Sequence, residues 1–181
     1  MLMITIPATE AYDELKGEFV YIKEQTLQLE HSLLSISKWE SKWCKPFLGK
    51  QDKTSEEIID YIKCMTLNQS VNDNVYHYLS QDNINAINNY IAAPMTATFF
   101  SEDKRGKTNR ETVTAELIYY WMIALNIPFD PCQKWHLNRL LTLVRVCNIK
   151  NAPPKKMGKL ATANQYAQLN AARRKQFNSK G

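Results

Sequence analysis

The chain has 181 residues, of which 44% are hydrophobic and 23% are charged, the composition of an ordinary globular protein. A chain of this length can bury about two-thirds of its unfolded surface, so it needs neither disulfides nor a metal to hold a core. No run reaches the roughly 18 to 20 apolar residues of a membrane helix, and the apolar start at residues 1–7 is too short for a secretory leader. We therefore expect a soluble cytoplasmic protein without a membrane partner.

The charge distribution separates the end of the chain from the rest. From Lys150 onward lie eight of the 23 basic residues and none of the 18 acidic residues. The preceding part is therefore net acidic. A basic segment attached to an acidic body typically contacts an acidic partner, either nucleic acid or a protein surface.

In chain order, the first predicted elements are strands. Between residues 17 and 30, β-branched and aromatic residues alternate with polar ones on both sides of Glu24 and Gln25. Together with Ile4 and Ile6, this pattern predicts a small antiparallel sheet. Two or three strands are marginal alone, so the sheet must pack on helices.

The next predicted elements are helical, and residue patterns mark where they begin. Apolar residues at helical spacing predict a helix at residues 32–44. A capping box at residues 54–57 begins the next helix, and one or two helical turns are expected at residues 72–79. A further helix is expected to start with Ser80 or Asp82 as its N-cap.

The following segment predicts a loop and then two helices. Residues 101–110 are polar and charged, which favours an exposed loop. A capping box at residues 108–111 is expected to start a helix that runs to Leu125 and is apolar on most of its circumference, as a buried central helix would be. Asp130 and Pro131 are expected to start a second helix, and the two should pack as an antiparallel hairpin.

Two consecutive prolines, Pro153 and Pro154, end the helical pattern. We therefore divide the chain into a compact β-hairpin and helical domain at residues 1–150 and a basic segment at residues 151–181. Residues 161–177 favour a helix by propensity, but their apolar face is thin, so that helix would be marginal alone. The expected fold is mainly α (α+β): a small N-terminal antiparallel sheet packed on a helical bundle, followed by a flexible basic tail.

The cysteines carry no metal-binding pattern. No CxxC pair occurs among the four, which are Cys44, Cys64, Cys132 and Cys147. We interpret them as reduced thiols, with a scattered zinc site as the weaker alternative. No bound metal is therefore expected.

The candidate catalytic patterns are weak. Cys132 and His136 lie four residues apart on one predicted helix and form the sharpest pair, but a packed thiol beside a packed histidine is the commoner arrangement. The sequence Gly106-Lys107-Thr108 is similar to the end of a phosphate-binding loop, but the earlier glycine and the preceding strand are missing. We expect no enzymatic activity and no cofactor.

Two groups of residues are candidates for contact with another macromolecule. Trp39 and Trp43 lie on one face of a predicted helix with charges around them, so they either pack on the sheet or anchor a partner. Arg173, Arg174 and Lys175 can contact phosphates or an acidic protein surface. The tail has few aromatic residues for stacking on bases, which disfavours nucleic acid.

Four segments of the sequence carry a resemblance to a known protein family. They are SKWESKW and KPFL within residues 37–48, MTATFF at residues 95–100, ELIYYWM, NIPF and QKWHLNRL within residues 116–140, and LNAARRK at residues 169–175. Together they resemble the tail assembly chaperones of bacteriophages with long, flexible, non-contractile tails. The resemblance extends over most of the chain, and its motifs are compositional rather than chemical.

The resemblance implies a specific function. Such chaperones coat the tape measure protein, keep it soluble and recruit tail tube subunits, and many are made in two lengths by a programmed ribosomal frameshift. They act in the cytoplasm of the infected bacterial host and are absent from the mature virion. With this function, the expected partner contacts are Trp39, Trp43, Arg173, Arg174 and Lys175.

Other functions stay open at this point. The chain can be a minor structural protein of the phage particle, or a regulator that binds nucleic acid through its basic tail. An enzyme that uses Cys132 and His136 is the weakest alternative. Self-association is a further interaction that the sequence permits.

Overall fold

Four strands at the start of the chain pair in two antiparallel ladders. The computed structural model describes residues 1–13, 18–100, 111–153 and 159–178. The ladders join β1 (Leu2–Ile6) to β4 (Gln25–Leu29) and β2 (Thr9–Asp13) to β3 (Glu18–Ile22). The expected antiparallel pairing is confirmed. The β2 sequence, TEAYD, has no apolar alternation and is a strand because β3 pairs with it.

The β1–β4 ladder has one face toward the protein interior. Ile4, Ile6, Leu27 and Leu29 are buried, whereas Met3 on the other face is exposed. In the register, Ile4 lies opposite Leu27, so the two strands present one apolar surface that the helices cover.

The next four elements lie where the sequence predicted them. They are α1 (Leu33–Trp43), α2 (Ser55–Met65), a 3₁₀ helix (Asp73–Tyr78) and α3 (Gln81–Ala92). Thr54 and Glu57 form the predicted capping box of α2, and Ser80, rather than Asp82, is the N-cap of α3. Capping side chains fix these helix starts because they satisfy backbone N–H groups that have no partner inside the helix.

α4 (Ala115–Ala124) differs from the prediction in its start and in its burial. Its N-cap is Thr114, whose hydroxyl accepts from the backbone N–H of Leu117. The helix was predicted to begin earlier, at residues 108–111, but residues 111–114 are not helical. Residues 108–110 of that predicted start and the predicted loop at residues 101–110 lie outside the described residues. One face of α4 is buried, but Tyr120 and Ile123 are each 62% exposed, so α4 is not the buried central helix.

The predicted helix start at Asp130 and Pro131 is also wrong. These residues belong to a single turn, α5 (Phe129–Cys132), in which Asp130 has extended backbone angles, and the long helix α6 (Leu137–Asn151) begins later. The backbone carbonyl of His31 accepts from the N–H of Leu137 at 2.7 Å. This long-range pairing directs the chain between α5 and α6 away from a continuous helix.

The central helix of the described residues is α1. It packs against α2 on one side and α4 on another, while α3 packs on β1. Among the described helices, α4 has its closest backbone contacts with α1. The predicted antiparallel hairpin of α4 and α6 stays a prediction. The fold is mainly helical with small antiparallel sheets, as expected.

The chain divides into two compact units, Met1–Asn148 and Ile149–Gly181. The second unit contains α7 (Lys159–Phe177), which covers the helical segment predicted at residues 161–177. Within the described parts of both units, no helix has the combined length and apolar character to cross a membrane.

Candidate interaction surfaces

Trp39 is a core residue. Its side chain is 1% exposed, and its indole N–H donates to the backbone carbonyl of Glu57 at 2.8 Å. Its ring contacts Phe47 edge-on with a centroid separation of 5.2 Å. A buried and hydrogen-bonded indole is not available to a partner, so Trp39 is removed from the expected contact residues.

Trp43 lies next to Trp39 but nearer to solvent. The two rings stack with centroids 6.2 Å apart, and the indole N–H of Trp43 donates to Asp60 Oδ2 at 2.9 Å. Asp60 also forms an ion pair with Lys42. The half-buried Trp43 lines a cavity of about 300 Å³, and Asp60 in the wall of this cavity is already paired within the protein.

The basic triplet lies on α7, where Arg173, Arg174 and Lys175 are all exposed. The structure places these residues in a different compact unit from Trp39 and Trp43. The predicted contact residues therefore belong to two different compact units.

An exposed apolar stripe runs along α7. Its members Tyr166, Leu169 and Phe177 are 63%, 47% and 72% exposed. At about 100° per residue, these three side chains and Arg173 lie within about 80° of one another around the helix. We call these four residues the α7 stripe. It is an apolar face with a cation in its middle, on the helix whose apolar face the sequence predicted to be thin.

The Cys132–His136 pair is not arranged for proton transfer. The two residues do not share a helix, and both are buried. The backbone N–H of Asn138 donates to His136 Nδ1 at 3.3 Å, and His136 Nε2 lies 3.0 Å from the backbone carbonyl of Tyr90, to which it donates. Both ring nitrogens are therefore occupied by backbone groups.

Two buried histidines meet between the sheet and the helices. His31 and His136 have ring centroids 5.1 Å apart, and His31 Nδ1 lies 2.5 Å from the hydroxyl of Tyr61. Burial, assisted by the charge of His136, lowers the pKa of His31 to about 4. Burial also lowers the pKa of His136. Both rings are therefore neutral near pH 7, and this pair had no signal in the sequence.

Glu40 is a buried carboxylate that joins three segments of the chain. Its Oε1 accepts from the backbone N–H of Phe47 at 2.6 Å, and its Oε2 accepts from the backbone N–H of Ala115 at 2.7 Å. The signal for Glu40 was an acidic residue on the apolar face of α1, which also carries Leu33 and Ile36. An acid in that position is stable only when its oxygens are hydrogen-bonded.

A groove lies between α2 and α3, with a cavity of about 180 Å³. Its floor contains Phe47 and Tyr61, and Lys53 and Asn88 lie at its rim. Five isoleucines form its apolar walls: Ile58, Ile62, Ile84, Ile87 and Ile91. We call this feature the α2–α3 groove. In the sequence these isoleucines are visible only as members of the apolar faces of two helices.

Comparisons with protein families, curated proteins and solved structures found no match for this chain. Among the described residues, no group of three or more histidine, cysteine or acidic side chains is placed to hold a metal ion.

Proposed function

We propose that this protein is a tail assembly chaperone of bacteriophages with long non-contractile tails. In this role it binds the tape measure protein, keeps it soluble and recruits tail tube subunits in the cytoplasm of the infected host. The proposal starts from the resemblance of the four sequence segments. The observation that carries it is the α7 stripe, an exposed apolar face on a helix without acidic residues.

The helix α7 lacks the packed apolar face that stabilises most helices. An isolated helix of about this length is marginal in water, and most helices in proteins are stabilised by a packed apolar face. The three large apolar side chains of the stripe are exposed. A partner that covers them would bury apolar area and stabilise the helix at the same time.

The charge of α7 limits the chemistry of that partner. Arg173 lies within the stripe, and Arg174 and Lys175 follow it. An amphipathic helix with an apolar face flanked by carboxylates satisfies both requirements. A tape measure protein that exposes apolar stripes along a long helix is a partner of this kind.

The same three cations favour one alternative function, the binding of nucleic acid. Counter-ion release would then make the affinity fall steeply as salt is raised. The apolar members of the α7 stripe argue against this function, because phosphate contacts do not require them. A minor structural protein of the particle is the other alternative, and it would be found in purified virions.

The test is co-expression of the tagged full-length chain with the tape measure and tail tube proteins of the same genome. The proposal expects soluble tape measure protein in the eluate. Changing Tyr166, Leu169 and Phe177 together to Ser should reduce its recovery. The matched control changes Asn164 and Gln168 to Ala on the opposite face of α7.

Three results would contradict the proposal. Nucleic acid in place of tape measure protein in the eluate would favour the regulator. Presence of the chain in purified particles would favour the structural protein. Equal recovery with the stripe variant and the control would exclude α7 as the contact.

A further inference from the structure

We propose that the α2–α3 groove is a second binding surface, which holds one large apolar side chain and a neighbouring carboxylate from a helix of the tape measure protein. This inference rests on the proposed function for the identity of the partner. The groove belongs to the first compact unit, whereas α7 belongs to the second. The shape, exposure and charge of the groove support this assignment.

The groove has a buried floor and an open rim. Ile62 and Ile87 are each 2% exposed, but Ile58 on the α2 side is 43% exposed, and Ile84 and Ile91 on the α3 side are half-buried. Ile84, Ile87 and Ile91 recur at helical spacing, so α3 presents a continuous apolar wall. Apolar side chains on both rims would lose further contact with water if a ligand entered.

The cavity has the size of one side chain. Its volume is about 180 Å³, and an engineered protein cavity of roughly 150 Å³ is large enough to take up benzene. One phenylalanine, leucine or methionine side chain can therefore enter. Helix-in-groove recognition uses such anchors and places the remaining turns of the helix along the walls.

The cation at the rim of the groove is Lys53, which lies over the rings of Phe47 and Trp39 and forms no ion pair with a carboxylate of the described residues. Lys53 Nζ lies 4.4 Å from the ring centroid of Phe47. Among the described residues, no carboxylate lies within ion-pair distance of it. The nearby carboxylate of Glu57 already has two partners. Its Oε1 lies 2.5 Å from Lys45 Nζ, and its Oε2 accepts from the backbone N–H of Thr54 at 2.8 Å. A carboxylate next to the incoming apolar anchor would complete this site.

The positive charge of Lys53 distinguishes between two candidate ligands of the α2–α3 groove. α7 from a second copy of the chain has apolar residues, but its sequence contains no acidic residue and would bring further positive charge to Lys53. A helix with an apolar stripe flanked by acidic residues fits the groove and is also the partner that the α7 stripe requires. The α2–α3 groove and the α7 stripe therefore select the same ligand chemistry.

The experiment uses the full-length chain and the tape measure protein of the same genome. Ile58→Asp removes the exposed apolar rim, and Lys53→Glu reverses the charge. The matched controls are Ile123→Asp on the exposed face of α4 and Lys50→Glu. Because substitution of a hot-spot residue typically weakens binding by more than about tenfold, we expect each groove variant to weaken binding at least about tenfold. The controls should bind like the wild type.

A second arm tests the groove without the partner. Anilinonaphthalene sulfonate combines aromatic rings with an anionic group, so it can bind both the α7 stripe and the groove, where one of its rings can enter. The dye is therefore used in the background that carries Tyr166→Ser, Leu169→Ser and Phe177→Ser, where its fluorescence should increase on binding the groove and fall in Ile58→Asp. The milder variant Ile58→Ser, together with thermal unfolding of every variant, separates loss of the site from loss of the fold. Added tape measure protein should displace the dye.

The outcomes separate the two proposals. If the wild-type chain binds the tape measure protein and the groove variants bind it equally well, the groove assignment is overturned and the chaperone function stands. If the wild-type chain does not bind it, both proposals are overturned. Dye binding that Ile58→Asp does not reduce, or that the partner does not displace, overturns the groove assignment alone.

Discussion

The helices α1 and α7 show two different ways in which a sequence can specify a helix. α1 is 11 residues long, begins with a capping box at Ser32 and buries Leu33, Ile36 and Trp39. α7 is 19 residues long and leaves its large apolar residues exposed. Buried side chains support the short helix, whereas the large apolar side chains described for the long one are exposed and contribute little to it. The comparison indicates that α1 stabilises the fold and that α7 is available to a partner.

The largest effect on stability is expected where α1 contacts the rest of the body. Glu40→Ala removes the acceptor of two buried N–H groups, those of Phe47 and Ala115. Since each unsatisfied buried donor costs about 1 to 3 kcal/mol, we expect the free energy of unfolding to fall by about 3 to 5 kcal/mol. Urea denaturation measures this change. The exposed Glu56→Ala is the control, and a loss as small as that of the control would remove Glu40 from the core network.

Acid should destabilise the body through the buried histidines. The pKa of His31 is about 4 in the folded protein and 6.5 ordinarily, so between these values the unfolded chain binds the proton and the folded chain does not. The free energy of unfolding is therefore largest above about pH 6.5. It decreases as the pH approaches 4, by about 3 kcal/mol in total. His136 adds a contribution of the same sign.

Unfolding midpoints measured between pH 7 and pH 4 test this prediction. The variant His31→Gln should unfold more easily at pH 7 but show a weaker dependence on pH. A wild-type profile that is flat between pH 6.5 and 4.5 would contradict the assignment of a neutral buried pair.

The two tryptophans of α1 should respond differently to the same change. Trp39→Phe leaves the carbonyl of Glu57 without its indole donor and creates a small cavity, so we expect a loss of about 2 kcal/mol. Trp43→Phe removes a half-buried hydrogen bond to Asp60 and should cost less than about 1 kcal/mol. Thermal unfolding distinguishes them, and equal losses would mean that Trp43 also belongs to the core.

The smallest effect on stability is expected on α7. Changing Arg173, Arg174 and Lys175 to Ala should shift the free energy of unfolding of the body by less than about 0.5 kcal/mol, because these side chains are exposed. Retention of the tape measure protein should nevertheless decrease. Calorimetry of this variant measures its stability, and co-purification measures its retention of the tape measure protein. A large loss of stability would show that α7 supports the fold.

Local signals predicted most of the elements correctly. The capping box at Thr54 and the cap at Ser80 were readable because each involves residues only three positions apart. The start of α6 was not readable, because the pairing of Leu137 with His31 spans about a hundred residues. Predictions failed where a long-range backbone contact outweighed a local preference.

The candidate surfaces were predicted less well than the elements. Helical spacing placed Trp39 and Trp43 on one face, but spacing alone does not indicate which ring is covered by Phe47. The α2–α3 groove depends on two helices with a loop and a 3₁₀ helix between them, so neither sequence segment contains the signal alone. The basic triplet was visible because charge clustering is a property of the sequence itself.

The hydrogen bond that Glu40 accepts from the first residue of α4 also determines when one backbone amide can exchange its hydrogen with water. The N–H of Ala115 is the first of α4, a position that usually has no partner inside the helix and exchanges its hydrogen with water quickly. Here a carboxylate from α1 holds it. We expect hydrogen exchange at Ala115 to require separation of α1 from α4. This amide should therefore report the separation of two helices of the first compact unit and not the fraying of one helix end.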